Sequence, residues 1–345
     1  MATSTTPGSY SIVSTMREQP EIIAAFVAHH LTLDVQELMI FLDGPDPEVE
    51  AMLAGLPRCR VTICNDQYWQ DVQACERPQN VVQRQKKNYN LARKWASSDW
   101  LVHIDSDEFL MTTGSLSAEL AAIGPETDLV RIRNLERFMP EGAVSSHIYQ
   151  GLFRDQIIDR KLGRAIYGDS ARLLNNGLTG YKRGKTATRV SSTQNFGLHA
   201  PKTEDDENDT AHSSVSTQLL HFDGFTPLHW VSKLLKRFAR GQTKGSKARQ
   251  QQMNFLSEAS TGAERVSLYQ KLMVLTPDVQ NELRKQGALR EFSFDPLPAM
   301  TTTFPGRSFD LTPASFDRRM INANPHWFTT MDLMPPDWPA TLPAA

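Results

Sequence analysis

The feature that most constrains the fold is an alternation of strand patterns and helix patterns over the first hundred residues. Strand patterns occur at Tyr10–Ser14, Glu37–Leu42, Arg60–Cys64 and Trp100–Ile104, and helix patterns at Glu21–Leu31, Glu48–Leu53 and Asn80–Trp95. The strand segments are largely apolar, which is typical of strands that helices cover on both faces. The sequence therefore predicts an α/β fold with a mainly parallel, doubly wound sheet flanked by helices.

The pattern becomes less regular after residue 110. Short extended segments are predicted at Asp128–Arg133, Ala171–Leu174, Ala187–Val190 and Gln218–Phe222, and a mobile acidic loop at Lys202–Ser214. A basic helix is predicted over 230–249, and the Pro-rich chain after Phe294 is predicted to be irregular. We expect one domain over residues 1–225 and a helical and irregular C-terminal appendix, 226–345, packed on it.

Composition narrows the classes of partner and compartment. The chain has 345 residues and a formal net charge of -2, which gives no field suited to nucleic acid. Its three cysteines are odd in number and none has CxxC spacing, so a reducing compartment is the simpler interpretation. No apolar run approaches the roughly 20 residues of a membrane span. We expect a cytoplasmic protein that does not bind nucleic acid.

The segment most informative about chemistry is WLVHIDSDEFL, at Trp100–Leu110, where an apolar strand runs directly into acidic residues. In open α/β sheets, ligands bind outside the carboxyl ends of the strands, which is where this acidic cluster falls. Asp105 and Asp107 are predicted to hold one Mn²⁺ or Mg²⁺ together with the phosphates of a substrate. The alternative is that these acids cap a turn and face water.

This segment resembles the D-x-D-E-F motif of family 2-type glycosyltransferases with the Rossmann-like GT-A fold. The likeness is strongest to a bacterial subgroup that is also similar to family 92 transferases. Other segments agree in order, namely Ile12–Glu18, FVAHHL at Phe26–Leu31, MIFLDGPDP at Met39–Pro47, QRQKKNYNLARKW at Gln83–Trp95, GKTATR at Gly184–Arg189, LHAP at Leu198–Pro201 and LHF at Leu220–Phe222. The sequence departs from the subgroup at Thr15–Glu18, where Asn-Glu is common, and at Asp43–Asp46, where Asn-Ser-Ser-Asp is common.

The resemblance implies an inverting, metal-dependent glycosyltransferase. It would move a sugar from a nucleotide-diphosphate donor, with a UDP-sugar expected, to a glycan, lipid-linked or envelope polysaccharide acceptor. The implied donor-binding residues are Arg17, Glu18, Asp43, Lys86, Asn90, Asp105 and Lys185, and the implied metal ligands are Asp105, Asp107 and His221. His199 has a weaker claim of the same kind as His221.

Each of these roles has a simpler alternative. Asp43 precedes Gly-Pro and could start a turn. Lys86 and Asn90 share a helical face with Arg93, which also fits a solvated basic surface. His221 lies between apolar residues, as a buried core histidine would.

An inverting transfer also needs a carboxylate that deprotonates the acceptor hydroxyl. Glu141 and Asp169 are the first candidates for this base, and Glu136 and Asp155 are further candidates. Their spacing along the chain does not decide among the four.

The basic segment 230–249 allows a peripheral contact with an anionic membrane, for example at its inner face. The alternatives are a helix with solvated cations, or a helix whose Lys233 and Arg237 reach an acidic acceptor or the diphosphate. Two other functional classes also fit parts of the sequence. One is a D-x-D phosphohydrolase of the haloacid dehalogenase type, and the other is a non-catalytic module that binds a membrane surface or a partner.

Overall fold

The computed structural model describes residues 7–192, 212–242 and 245–334, and the chain divides into two compact units. The first unit takes its described residues from Met1–Leu135, Arg183–His221 and Asp295–Phe309. The second takes them from Glu136–Lys182, Phe222–Phe294 and Asp310–Ala345. This division differs from the predicted single boundary at residue 225, because the chain returns to the first unit twice.

The described residues form thirteen strands and twelve α-helices. The strands are β1 (Tyr10–Met16), β2 (Glu37–Leu42), β3 (Cys59–Ile63), β4 (Trp100–His103), β5 (Glu108–Thr112), β6 (Leu129–Ile132), β7 (Asn134–Pro140), β8 (Leu152–Arg154), β9 (Lys185–Arg189), β10 (His212–Ser213), β11 (Thr217–His221), β12 (Val274–Leu275) and β13 (Leu289–Arg290). The helices are α1 (Pro20–Leu31), α2 (Pro47–Leu53), α3 (Val81–Trp95), α4 (Leu116–Ala121), α5 (Arg160–Tyr167), α6 (Pro227–Ala239), α7 (Lys247–Glu258), α8 (Gly262–Met273), α9 (Pro277–Lys285), α10 (Leu297–Thr303), α11 (Pro313–Asn322) and α12 (Pro325–Thr330).

The first unit is built on a seven-stranded sheet of order β10-β6-β9-β4-β1-β2-β3. The four strands β4, β1, β2 and β3 are parallel, while β9 runs antiparallel to both β4 and β6. Outside this seven-stranded sheet, β5 pairs antiparallel with β11. The prediction of a mainly parallel α/β sheet flanked by helices is therefore confirmed.

The sequence explains why these strands lie in the interior. All seven residues of β1 are buried, and so are all four of β4. Burial of one large aliphatic side chain contributes about 1.5–3 kcal/mol, so an apolar strand is most stable where helices cover both faces. The next helix begins at Pro20, whose fixed φ suits the first helical turn.

Two adjacent histidines attach α1 to β5. The Nε2–H of His29 donates to the carbonyl oxygen of Leu110 at 2.7 Å, and the backbone N–H of Leu110 donates to Nε2 of His30 at 3.2 Å. The other ring nitrogen of His30 donates to the carbonyl oxygen of Phe26 at 2.8 Å. Burial lowers the pKa of His29 to about 4 and holds that of His30 well below its usual value. Both rings are therefore neutral where α1 meets β5.

The second unit combines a small sheet with seven helices among its described residues, α5 to α9, α11 and α12. Strand β8 runs antiparallel to both β7 and β13, and β12 lies parallel to the end of β7. The apolar core of this unit includes Trp230, Leu234, Leu272, Met273 and Phe328, which are all nearly inaccessible to solvent. These helices cover the unit's strands with apolar side chains.

Three predictions about local structure are wrong. The segment predicted to be extended at Ala171–Leu174 lies mostly in a 3-10 helix, Gly168–Leu173, because Gly168 ends α5 at a positive φ of 54° and the chain tightens there. The basic segment 230–249 is two helices, not one, because Gly241 at φ 65° follows α6 and Ser246 caps α7 through the N–H of Arg249. The chain after Phe294 forms three helices, α10, α11 and α12. Pro298, Pro313 and Pro325 lie in the first turns of these helices, where proline favours helix.

Parts of the prediction lie outside the described residues. These are His199, the LHAP segment and residues 202–211 of the acidic insert. The end of that insert, His212–Ser213, is strand β10, which pairs with β6. Within residues 7–192, 212–242 and 245–334, no helix combines the length and the apolarity needed to cross a bilayer.

The histidine pair predicts a specific dependence of stability on pH. Because the folded state binds fewer protons than unfolded histidines of pKa about 6.5, the stabilisation is complete above pH 6.5. It falls as the pH drops towards 4, by about 1.4 kcal/mol per pH unit for each group. We expect His30→Asn to lower the pH dependence of the free energy of unfolding by the contribution of about one histidine. The measurement is urea unfolding between pH 7 and pH 5. His326→Asn, at an exposed position, is the control. An unchanged pH dependence of the free energy of unfolding in His30→Asn would contradict this account.

Candidate functional site

Several sequence-predicted site residues meet at the carboxyl edge of the parallel sheet in the first unit. Strands β1, β2 and β4 end at Met16, Leu42 and His103, so the residues that follow them emerge at one edge. Strand β9 is antiparallel to β4, with Ala187 opposite Val102, so its first residue, Lys185, starts at this same edge. This topology brings Lys185 to the loop that contains Asp105 and Asp107.

The ammonium group of Lys185 lies between two carboxylates. Its Nζ is 2.6 Å from Oδ2 of Asp105 and 3.2 Å from Oε2 of Glu108. The Lys185 side chain is 0% exposed and that of Glu108 is 1% exposed, whereas the Asp105 side chain is 31% exposed. The charge of Lys185 therefore compensates that of the buried Glu108. The same ammonium group fixes the position of the Asp105 carboxylate, which reaches the surface.

The protonation of this cluster follows from its geometry. Burial alone would lower the pKa of Lys185, but the charges of Asp105 and Glu108 outweigh it and raise the pKa above its ordinary value. Burial raises the pKa of Glu108, and the positive charge of Lys185 opposes that effect. Lys185 thus keeps its proton at neutral pH and serves as a fixed positive charge.

The backbone of the D-x-D turn is held by the same residues. The N–H of Asp105 donates to Oε2 of Glu108 at 2.7 Å, and the N–H of Glu108 donates to the carbonyl oxygen of Asp105 at 3.1 Å. Gln85, on α3, donates to Oδ1 of Asp105 at 2.7 Å, and the hydroxyl of Ser106 donates to Glu18 at 3.4 Å. Glu108 therefore closes the turn, and Gln85 orients the first aspartate from the helix.

His221 and Asp107 flank this turn. Strand β11 places His221 directly opposite Glu108, and the histidine is buried, with 4% of its surface exposed. Asp107 is only partly buried, and its charge raises the pKa of Glu108. The structure thus brings the three predicted metal ligands, Asp105, Asp107 and His221, to one end of the β5–β11 pair.

Asp43 is engaged by two arginines that the sequence analysis did not single out. Its Oδ2 accepts from Nε and Nη2 of Arg84 at 3.0 and 2.8 Å, and its Oδ1 accepts from Arg77 at 2.9 Å. Arg84 also donates to the carbonyl oxygens of Pro78 and Gln79. In this structure Asp43 anchors the chain that leads into α3, and its predicted contact with the donor stays a prediction.

The inward face of α3 differs from the predicted one. Arg84, Gln85 and Asn88 make the contacts, and Asn88 donates to Thr15 at 3.0 Å and accepts from Tyr68 at 2.7 Å. Lys86 is partly buried and Asn90 is exposed. The structure does not bring Asn90 into the polar cluster around Asp105, and Arg17, just after β1, is also exposed.

The four candidate bases belong to the second unit. Glu141 and Asp169 are exposed. Glu136 is fully buried, pairs with Arg154 at 2.9 Å and accepts from the hydroxyl of Thr179, so it holds the interior together. Asp155 is 3.4 Å from Arg290. Of the four, only Glu141 and Asp169 are exposed carboxylates.

The side chains of the D-x-D turn determine how a divalent cation would fit there. Across residues 7–192, 212–242 and 245–334, no three His, Cys, Asp or Glu side chains are placed to hold one metal ion. Oδ1 of Asp105 accepts a hydrogen bond from Gln85 and Oδ2 accepts one from Lys185, and each oxygen of a carboxylate has two lone pairs. Asp105 and Asp107 therefore fit a site that a diphosphate and water complete, which is the usual way Mg²⁺ binds in phosphate-handling sites.

No family model matches the chain, and no curated protein does. Solved structures do show a likeness. They include a glucosyl-3-phosphoglycerate synthase from Mycobacterium tuberculosis, with 19% identity over 53% of this chain and 57% of that chain and a TM-score of 0.29. S. aureus TarS, residues 1–349, gives 12% identity over 94% of this chain and 88% of that chain, with a TM-score of 0.30.

The galactosyltransferase LgtC gives 12% identity over 52% of this chain and 58% of that chain, with a TM-score of 0.26. The chain spans about half of the length of the synthase and of LgtC. At these identities and TM-scores the likeness carries no argument about function.

The buried ion pairs predict the effect of removing Lys185. Lys185→Met leaves Asp105 and Glu108 without their cation, and loss of one partner of a buried pair costs about 3–5 kcal/mol. We expect the free energy of unfolding, measured in urea at pH 7, to fall by this amount. The double variant Lys185→Met/Glu108→Gln should recover part of the loss, because one uncompensated charge is then gone. Lys182→Met, at an exposed position, is the control, and equal values for the two single variants would contradict the arrangement.

Proposed function

We propose that the protein is a glycosyltransferase that uses a nucleotide-diphosphate sugar, with a UDP-sugar as the expected donor. The observation that carries the proposal is the turn at the carboxyl edge of the parallel sheet, where Lys185 and Gln85 fix Asp105 beside the partly exposed Asp107. Ligands of open α/β sheets bind at this edge. The order of motifs that resembles family 2-type transferases supports the same proposal.

Charge balance supports a divalent cation as the cofactor. Asp105, Asp107, Glu108 and Lys185 together carry a formal charge of -2. A diphosphate would be repelled by this cluster unless a cation came between them. Mn²⁺ or Mg²⁺ supplies that cation when bound, and it offsets the charge that develops on the departing diphosphate.

The chain's own residues would then divide the remaining work. Lys185 and Gln85 hold the Asp105 carboxylate in one orientation, which preorganises the site before the donor arrives. Arg17, Glu18, Asp43, Lys86 and Asn90 stay proposed donor contacts. His221 stays a proposed metal ligand, and it would have to move to join both aspartates, because no three such side chains of the described residues are placed around one ion. The acceptor is a glycan or a lipid-linked saccharide, and Glu141 or Asp169 is the proposed base of an inverting transfer in the cytoplasm.

The first test is nucleotide binding with and without metal. A thermal-shift series with UDP, GDP and CDP, in Mn²⁺ or in EDTA, should show a shift for one nucleotide that depends on the metal. Asp107→Asn should remove that shift and lower sugar transfer or donor hydrolysis at least about 100-fold, because it removes one of the two carboxylates of the turn that would hold the metal.

Asp71→Asn is the matched control, since Asp71 is an exposed aspartate of the same unit. It should keep both the shift and the activity. Full activity of the wild type in excess EDTA would contradict the metal part of the proposal. Rapid release of phosphate from a simple phosphoester, without a nucleotide-dependent shift, would favour the phosphohydrolase instead.

A further inference from the structure

Two cations contact one carboxylate in the second unit, and a third cation lies near them. Lys233 and Arg237 lie one helical turn apart on α6, and Arg249 lies on α7, which packs against α6. The carboxylate is Asp223, which is 2% exposed. We call these four residues the Asp223 cluster, and their formal charge is +2.

Asp223 is already saturated by donors other than Arg237. Nη2 of Arg249 lies 2.8 and 2.9 Å from its two oxygens, and Nε1 of Trp230 donates to Oδ2 at 2.8 Å. The hydroxyl of Thr179 also donates to Oδ2, at 2.9 Å. The ammonium of Lys233 is 4.0 Å from Oδ1 and donates to the backbone carbonyl oxygen of Asp223 at 3.3 Å.

Two guanidinium groups of the cluster keep unused donors. The Arg249 side chain is 9% exposed, and its buried Nη1 has no hydrogen-bond partner within the described part of the chain. Among the same residues, no ion pair or side-chain hydrogen bond engages Arg237, which is partly buried. Burial and the neighbouring charge of Arg249 lower the pKa of Arg237. Buried charged donors without acceptors are costly, so the cluster lacks a negative partner.

We propose that the Asp223 cluster binds a tetrahedral oxyanion, namely a phosphate group. Guanidinium groups bind phosphate through paired N–H donors, and a phosphate offers three acceptor oxygens for the unused donors of Arg237 and Arg249. The positive charge of Lys233 adds attraction. In so far as the glycosyltransferase proposal holds, this inference also gives the class of acceptor, which is a saccharide or lipid that carries a phosphate.

The rest of the basic segment argues for a localised site over a general basic surface. Lys236, on the same helix, lies over the rings of Trp327 and Phe328, at 5.9 and 5.5 Å from their centroids. Arg240, one position beyond α6, is exposed. The side of α6 that carries Lys233 and Arg237 lies beside the buried Arg249.

The test measures the binding of inorganic phosphate by calorimetry, in EDTA and without nucleotide, so that no metal can hold phosphate at the D-x-D turn. We expect the wild type to bind phosphate and Arg237→Gln to bind it at least 10-fold more weakly. Arg240→Gln should match the wild type. Arg237→Lys should lie between them, because it keeps the charge and loses the guanidinium fork. Thermal unfolding of each variant establishes that it is folded.

A second arm identifies the source of the phosphate. Flotation with vesicles of equal parts phosphatidylcholine and phosphatidylglycerol, lost in Arg237→Gln and kept in Arg240→Gln, would support the site with a lipid headgroup as its source. Phosphate binding without flotation would support it with a soluble phosphate. Equal phosphate affinities for the wild type and Arg237→Gln, or no binding to the wild type, would overturn the inference. The nucleotide shift, measured on the same proteins, separates that failure from failure of the proposed function.

Discussion

The ammonium group of Lys185, enclosed between Asp105 and Glu108, is the interaction on which the candidate site depends. It joins the first residue of β9 to the turn between β4 and β5, and its positive charge opposes the rise in pKa that burial causes at Glu108. A buried lysine without carboxylates would lose its proton, and a buried glutamate without a cation would take one up. The buried Lys185 and the buried Glu108 therefore depend on each other, and the same ammonium group fixes the orientation of Asp105.

The histidines of α1 hold β5, the strand that begins at Glu108. His29 and His30 use opposite polar groups of one residue, Leu110, two residues after Glu108. These two hydrogen bonds fix the register of β5 against α1, because a shift of β5 by one residue would replace both partners of the histidines. The turn that carries Asp105 and Asp107 is thus fixed by an ion pair at its base and by neutral imidazoles along the strand that leaves it.

The sequence predicted the sheet well and the polar faces poorly, for physical reasons. Strands such as Trp100–His103 are buried on both faces, so their apolar runs identify them without any knowledge of their neighbours. Helix α3 is polar on several faces, so its pattern does not reveal which face turns inwards. The prediction named Lys86 and Asn90 as donor contacts, and it did not name Arg84, Gln85 and Asn88, which the structure shows in contact with residues at the edge. The residues that identify this face of α3 are its contact partners Asp43, Asp105 and Thr15, which are distant from α3 in sequence.

Prolines and glycines misled the prediction in the second half of the chain. Pro313 and Pro325 stand at helix starts, where the missing N–H costs nothing, so a Pro-rich segment formed helices. Gly241 split one basic segment into α6 and α7, and that break is what lets Arg249 turn back towards Arg237 and Asp223. Local sequence propensity could not predict the contact of Arg249 with Asp223, because this contact depends on how α6 and α7 pack.

The central claim is that Asp107, beside an aspartate fixed by Lys185, takes part in binding a metal and a nucleotide diphosphate. The most direct measurement is anomalous X-ray scattering from crystals of the protein grown with Mn²⁺ and UDP. The account predicts one manganese peak roughly 2.1 Å from an Asp107 carboxylate oxygen, in contact with the diphosphate. Nucleotide bound in the crystal with no manganese at Asp105 or Asp107, or manganese found only at other residues, would contradict it.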